Sequence, residues 1–93
     1  MKTILVVDDV PNIRRLIRVN LERQGYRVEE AETGKEALNC LRQGGIDFVY
    51  VDHTLPDTTG EELLATLRQD PALADIPAEL ASPQALLRLQ HRR

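Results

Sequence analysis

At 93 residues, with 42% hydrophobic and 29% charged side chains, the chain has room for one small domain and no more. Its net charge of −3 argues against a dedicated nucleic-acid surface, and its single cysteine, Cys40, excludes a disulfide framework and fits a reducing compartment. No apolar stretch is long enough to span a bilayer and no signal-peptide pattern follows Lys2, so the sequence reads as a soluble, cytoplasmic protein.

Residues 3–7, Thr3-Ile4-Leu5-Val6-Val7, form an aliphatic run without polar alternation, the pattern of a strand buried on both faces. It closes on Asp8-Asp9. Pro11 suits the first turn of a helix over residues 11–24, whose apolar positions Ile13, Leu16, Ile17 and Leu21 recur at helical spacing. Gly25 ends that helix, as a residue at ease in the left-handed cap. Tyr26-Arg27-Val28-Glu29 alternates and reads as a half-exposed edge strand. Thr33 then caps a second helix, with Glu36 three residues on completing a capping box and Ala37, Leu38 and Leu41 on the apolar face. Cys40 falls among them and reads as a small buried hydrophobe rather than a nucleophile. Gly44-Gly45 stops the helix, and Ile46-Asp47-Phe48-Val49-Tyr50-Val51 reads as a third strand, closing on Asp52. A third helix begins near Thr59 or Gly60, carries Leu63, Leu64 and Leu67, and stops before Asp70-Pro71.

Beyond Pro77 the pattern weakens. Ala78–Ser82 has the length of a strand but poor strand character, because Glu79 is charged and alanine is a weak strand former. If Glu79 belongs to a strand, that strand lies at an edge, since burying a lone carboxylate is costly. Ser82-Pro83 resembles an N-cap and first-turn proline for a short helix to about Gln90, and His91-Arg92-Arg93 is a basic, solvated tail.

This is a βαβαβα order with short connections, which implies parallel strands and right-handed helical crossovers. Ligands of such sheets gather at the carboxyl ends of the strands. Asp8, Asp9 and Asp52 all lie at such ends. Three like charges brought that close repel and stay ionised when a cation shares the site, and oxygen donors suit a hard divalent ion such as Mg²⁺.

Three stretches carry a wider pattern: Ile4-Leu5-Val6-Val7-Asp8-Asp9, Ala31-Glu32-Thr33-Gly34-Lys35-Glu36-Ala37-Leu38, and Val51-Asp52-His53-Thr54-Leu55-Pro56-Asp57-Thr58-Thr59-Gly60. In this order and spacing they resemble the receiver domain of two-component response regulators, over residues 3 to about 77. The resemblance implies a flavodoxin-like α/β fold with an open parallel sheet of order 2-1-3-4. It makes Asp52 the phosphoacceptor, charged by a sensor histidine kinase or a phosphotransfer protein. It makes Asp8 and Asp9 the Mg²⁺ ligands, with the Asp52 carboxylate and the Thr54 backbone carbonyl, and it places Ser82 as a candidate switch hydroxyl. His53 falls at a variable position beside the phosphoacceptor, and Asp57 reads as a loop or cap residue. Pro56 and Gly60 act as loop scaffolding, Gly60 by permitting close backbone approach.

The family's fifth strand, its last helices and the lysine that ends the fifth strand have no counterpart in these residues. The chain therefore reads as an incomplete receiver, truncated after the fourth strand position, with residues 1–77 as the receiver-like domain and 78–93 as a divergent segment. The function implied is a phosphorelay receiver, not an enzyme beyond its own Mg²⁺-dependent phosphorylation and dephosphorylation. The alternative is a degenerate receiver that serves only for protein binding or dimerisation. A half-covered sheet face predicts a homodimer, or a terminal helix folded over the gap, and neither nucleic acid nor membrane is expected as a partner.

Overall fold

A computed structural model describes residues 1–82 together with Ala85 and Leu87. Four parallel strands, β1 (Thr3–Val7), β2 (Arg27–Ala31), β3 (Phe48–Val51) and β4 (Ala78–Leu80), form one sheet in the order β2-β1-β3-β4. Helices α1 (Pro11–Arg23), α2 (Gly34–Arg42) and α3 (Gly60–Gln69) make the crossovers. This is the flavodoxin-like order expected from the sequence.

The aliphatic runs are buried on both faces because helices cover both. Leu5, Val7, Val49 and Val51 pack with Ala37, Leu41, Leu63 and Leu67 on the α2–α3 side. Ile4, Val6, Phe48 and Tyr50 pack with Ile17 and Leu21 on the α1 side, where Ala85 is also buried. Each fully buried aliphatic side chain stabilises by about 1.5–3 kcal/mol, so the two central strands hold most of the fold's apolar driving force.

The helix ends follow their sequence signals. At the end of α1 the Gly25 N–H donates to the Glu22 carbonyl at 3.0 Å and the Tyr26 N–H to the Leu21 carbonyl at 3.2 Å, with Gly25 at φ +95°. These are the paired bonds of a left-handed glycine cap. At α2 the Glu36 N–H donates to Thr33 Oγ1 at 3.0 Å, while the Glu36 carboxylate accepts from the Glu32 N–H at 2.8 Å. The capping box thus reaches one residue further back than its usual form.

Three expectations need correcting. The third strand begins at Phe48 and not at Ile46, because Asp47 is committed elsewhere: its carboxylate accepts the Thr3 N–H at 2.8 Å and its own N–H donates to the Thr3 carbonyl at 2.8 Å. The second strand runs from Arg27 to Ala31, since Tyr26 is taken up in the helix cap. On α1, Ile17 and Leu21 are buried but Ile13 is 47% and Leu16 66% exposed. The inward stripe narrows to one i,i+4 pair over the sheet, and among the described residues nothing covers the flank that carries Ile13 and Leu16. Glu79 does join a strand, opposite Tyr50, and β4 is half-buried along its length at the edge of the sheet. The helix expected over 83–90 and the basic tail at 91–93 lie outside the described residues.

Candidate functional site

The ladders that hold the sheet together run one residue past each strand and deliver the acidic residues to its carboxyl edge. The Asp8 N–H donates to the Ala31 carbonyl at 3.0 Å, the Asp52 N–H to the Val7 carbonyl at 2.9 Å, and the Ala81 N–H to the Val51 carbonyl at 2.7 Å. Asp8 and Asp52 are thus fixed through the main chain on adjacent strands. Carboxylate oxygens of Asp8, Asp9 and Asp52 lie within 4.8 Å of one another. Asp8 is buried, Asp52 half-buried and Asp9 exposed, so the pocket opens to solvent on the Asp9 side.

The carboxylates are oriented as well as placed. The Val10 N–H donates to Asp8 Oδ1 at 2.9 Å, and the His53 N–H donates to Asp52 Oδ1 at 2.8 Å. Burial raises the Asp8 pKa above the ordinary aspartate value. The Val10 hydrogen bond opposes that rise, and the charges of Asp52 and Asp9 add to it. A cluster of oxygen donors whose buried member resists ionisation is short of one positive charge, and the donor set suits a hard divalent cation.

The loop after β3 is built tightly around Asp52. An antiparallel bridge joins Thr54 to Thr59, the Leu55 N–H donates to the Thr58 carbonyl at 3.0 Å, and the Gly60 N–H donates to the His53 carbonyl at 2.8 Å. Thr54 lies exposed at the lip of this loop. Asp57 ties the loop to a second element: its carboxylate accepts from the N–H groups of Gly34 at 2.9 Å and Lys35 at 3.0 Å, the open N-terminus of α2. Those bonds hold the Asp57 carboxyl below its ordinary pKa. Asp57, expected as a loop or cap residue, is both; that it caps a helix distant in sequence is not legible in the chain.

Ser82 follows β4 on the other side of the pocket. Its Oγ accepts from the Ala85 N–H at 3.0 Å. Two neighbours hold this segment. The Tyr50 hydroxyl faces the Ser82 backbone, and His53 Nε2 lies 3.0 Å from the Ala81 carbonyl. His53, expected to be a bystander, therefore bridges β3 and β4, with Nδ1 3.5 Å from Glu61. Arg14 belongs to no motif in the sequence. Its guanidinium reaches the Asp8 carbonyl at 2.8 Å, and the only signal in the sequence is its place one turn into the helix that follows the acidic pair.

Comparison with known proteins agrees with this geometry. Residues 4–82 match the family of the response regulator receiver domain. The chain is 42% identical over 69 residues to the transcriptional regulatory protein ResD of Bacillus subtilis, covering 74% of this chain and 29% of that protein. It is 42% identical over 76 residues to the phosphate regulon transcriptional regulatory protein PhoB of Pseudomonas aeruginosa, covering 82% of this chain and 33% of that protein. The chain thus spans about a third or less of the curated relatives it matches. Among solved structures, the N-terminal domain of a response regulator receiver protein from Methanoculleus marisnigri superimposes with a TM-score of 0.82 at 37% identity, over 90% of this chain and 72% of that one. The response regulator TrrA of Thermotoga maritima, solved in complex with Mg²⁺ and BeF, superimposes with a TM-score of 0.76 at 30% identity, over 96% of this chain and 99% of that one. With the sheet order, the acidic edge and the match over residues 4–82 in agreement, the chain belongs to the response regulator receiver domain family.

Proposed function

We propose that the chain is a phosphoacceptor receiver, with Asp52 as the residue that takes a phosphoryl group from the phosphohistidine of a sensor kinase or phosphotransfer protein. The observation that carries this reading is the convergence of Asp8, Asp9 and Asp52 within 4.8 Å at the carboxyl edge of the sheet. Asp8, Asp9, the Asp52 carboxylate and the Thr54 carbonyl would hold Mg²⁺, which when bound supplies the positive charge that offsets the carboxylates and the incoming phosphoryl oxygens. The complex of TrrA with Mg²⁺ and BeF supports the same use of this fold. The His53 N–H orients Asp52 by holding Oδ1, so that Oδ2 forms the new O–P bond as the P–N bond to the donor imidazole breaks. The product is an acyl phosphate, a state of high transfer potential suited to a reversible signal. In this reading the protein is a signalling module and its only chemistry is performed on itself.

The test is incubation with Mg²⁺ and a small phosphodonor such as acetyl phosphate. We expect one base-labile, hydroxylamine-sensitive phosphate per chain, lost in Asp52→Asn and in excess chelator. A wild-type protein that is neither modified nor binds Mg²⁺ would establish the rival reading, a degenerate receiver that acts by binding alone.

We also propose that the protein is cytoplasmic and pairs with a second copy through the exposed flank of α1, where Val10 is 45%, Ile13 47% and Leu16 66% exposed. No helix among the described residues is long and apolar enough to cross a membrane. Sedimentation velocity should show a coefficient that rises with concentration and falls back in Leu16→Glu. A coefficient independent of concentration up to hundreds of micromolar would remove the dimer.

A further inference from the structure

We propose that Arg14 is a positioning residue for the acidic pocket: it clamps the Asp8 carbonyl, while Glu30 cancels its charge so that it does not repel the cation the pocket holds. The inference rests on the Mg²⁺ reading given above and extends it to a residue outside the acidic cluster.

The Arg14 side chain is only 12% exposed, unusual for arginine, and its guanidinium is divided among three partners. Nη1 donates to the Asp8 carbonyl at 2.8 Å, Nε to Glu30 Oε1 at 2.8 Å, and Nη2 to Glu32 Oε1 at 3.5 Å. The position follows from local structure. The Arg14 N–H donates to the Val10 carbonyl at 2.9 Å, which places Arg14 one turn into α1. Side chains on a helix lean toward its N-terminus, so this one leans back over the loop that carries Asp8 and Asp9. Asp8 is then held through its N–H by Ala31, through Oδ1 by Val10 and through its carbonyl by Arg14. A ligand fixed at three atoms presents its remaining oxygen in one orientation, which is what partners behind a metal ligand do.

A guanidinium beside a cation site would ordinarily work against it. Glu30, on β2, resolves this by accepting from Arg14 and, at 2.6 Å, from Arg18 Nη1. Burial pushes the Glu30 carboxyl up, but the hydrogen bonds from Arg18 and Arg14 outweigh it and hold Glu30 ionised below its ordinary range. The forked geometry also explains the residue type. Lysine carries the same charge but cannot grip a carbonyl and a carboxylate at fixed angles.

Three possible roles of Arg14 predict three different outcomes, which makes the test decisive. If Arg14 acts only through its charge, Arg14→Lys leaves Mg²⁺ affinity unchanged and Arg14→Gln tightens it, because a positive charge near the cation has been removed. If it acts only by tying α1 to β2, both variants lower the thermal midpoint and leave Mg²⁺ affinity as it was. As a clamp on Asp8, both variants weaken Mg²⁺ binding by about tenfold or more, the scale on which partners of metal ligands act. Glu30→Gln, which leaves the clamp charge uncompensated, weakens it as well, and more so at low salt. Calorimetric titration of Mg²⁺ into the wild type and the three variants reads the affinities, and thermal unfolding of each reads the midpoints, without any phosphotransfer assay. Where Arg14→Gln fails to fold, Arg14→Lys and Glu30→Gln decide. Wild-type binding with unaltered affinity in Arg14→Lys overturns the clamp alone. A wild type that binds no Mg²⁺ overturns the pocket reading and the clamp with it.

Discussion

Asp8→Asn is expected to strengthen the metal-free protein at neutral pH and to abolish its stabilisation by Mg²⁺. The first half follows from a buried carboxylate that faces two others. Unit charges 4.8 Å apart repel by about 1 kcal/mol even at the dielectric of water, and by more where solvent is excluded. Burial, and after it the charges of Asp52 and Asp9, raise the Asp8 pKa in the folded state, so the folded protein takes up a proton there more readily than the unfolded chain does. The penalty is therefore fully present at neutral pH. It is relieved as pH falls through the raised folded value, and the relief is complete below the unfolded value near 3.9. Glu30 and Asp57, whose carboxyls are lowered, act in the opposite sense: their stabilisation is present above their unfolded values and is lost as pH falls through their folded values. Metal-free wild type should thus gain stability on mild acidification before losing it in strong acid, and Asp8→Asn should lack the initial gain. The second half is mass action: Mg²⁺ at a hundred times its dissociation constant stabilises a folded protein by about 2.7 kcal/mol, and the variant loses a ligand needed for it. Urea unfolding at several pH values, with and without Mg²⁺, measures both. A variant less stable than wild type without metal, or still stabilised by Mg²⁺, would show that Asp8 is structural.

How much of this was legible in the chain depends on the range of the interaction involved. Signals within a few residues carried through. The unbroken apolar runs of β1 and β3 required helices on both faces, and Gly25, Thr33 and Thr59 set helix ends by bonds that span at most five residues. Because parallel strands bring their carboxyl ends to one edge, the same local signals were enough to bring Asp8, Asp9 and Asp52 together. What failed was long-range. Asp47 looked like the second residue of a strand until its carboxylate met the Thr3 N–H, 44 positions away. Ile13 and Leu16 satisfy the helical period but lie on a flank that no described element covers, and periodicity says which residues share a face, not what lies opposite.

The pocket's supports were hidden for the same reason. Arg14 finds Glu30 across 16 positions and Asp57 finds Gly34 across 23, and neither partner is marked by a local signal. Asp57 also shows how the loop gains rigidity: one carboxylate closes the N-terminus of α2 and fixes the segment that carries Asp52 and Thr54. The acids proposed to do the chemistry are thus recognisable by where strands end. The residues that hold them still are recognisable only once the strands are assembled.

Gly60→Ala is expected to destabilise the protein by about 3 kcal/mol or more and to disable Asp52 as an acceptor, although helix propensity alone predicts the reverse. Gly60 is the first residue of α3, where alanine would be favoured over glycine by up to about 1 kcal/mol. Its backbone angles are ordinary, so strain is not the reason for glycine. The reason is space. A Cβ here would run into the carbonyl oxygen of Asp52 and come within 2.7 Å of Leu80 Cδ2. The two obstacles differ in kind. Leu80 is a half-buried side chain on the edge strand and can turn away, whereas the Asp52 carbonyl is main chain at the end of a central strand, locked by the bond from its own N–H to Val7. The same approach brings the Gly60 N–H to the His53 carbonyl at 2.8 Å, so pushing α3 outward breaks a bond beside the acceptor. The double variant Gly60→Ala/Leu80→Ala separates the causes. If the Asp52 carbonyl is the barrier, truncating Leu80 restores neither stability nor phosphoryl uptake and adds its own cavity cost. Recovery of the unfolding midpoint in the double variant would instead place the constraint at Leu80 and leave the main chain of Asp52 free to adjust.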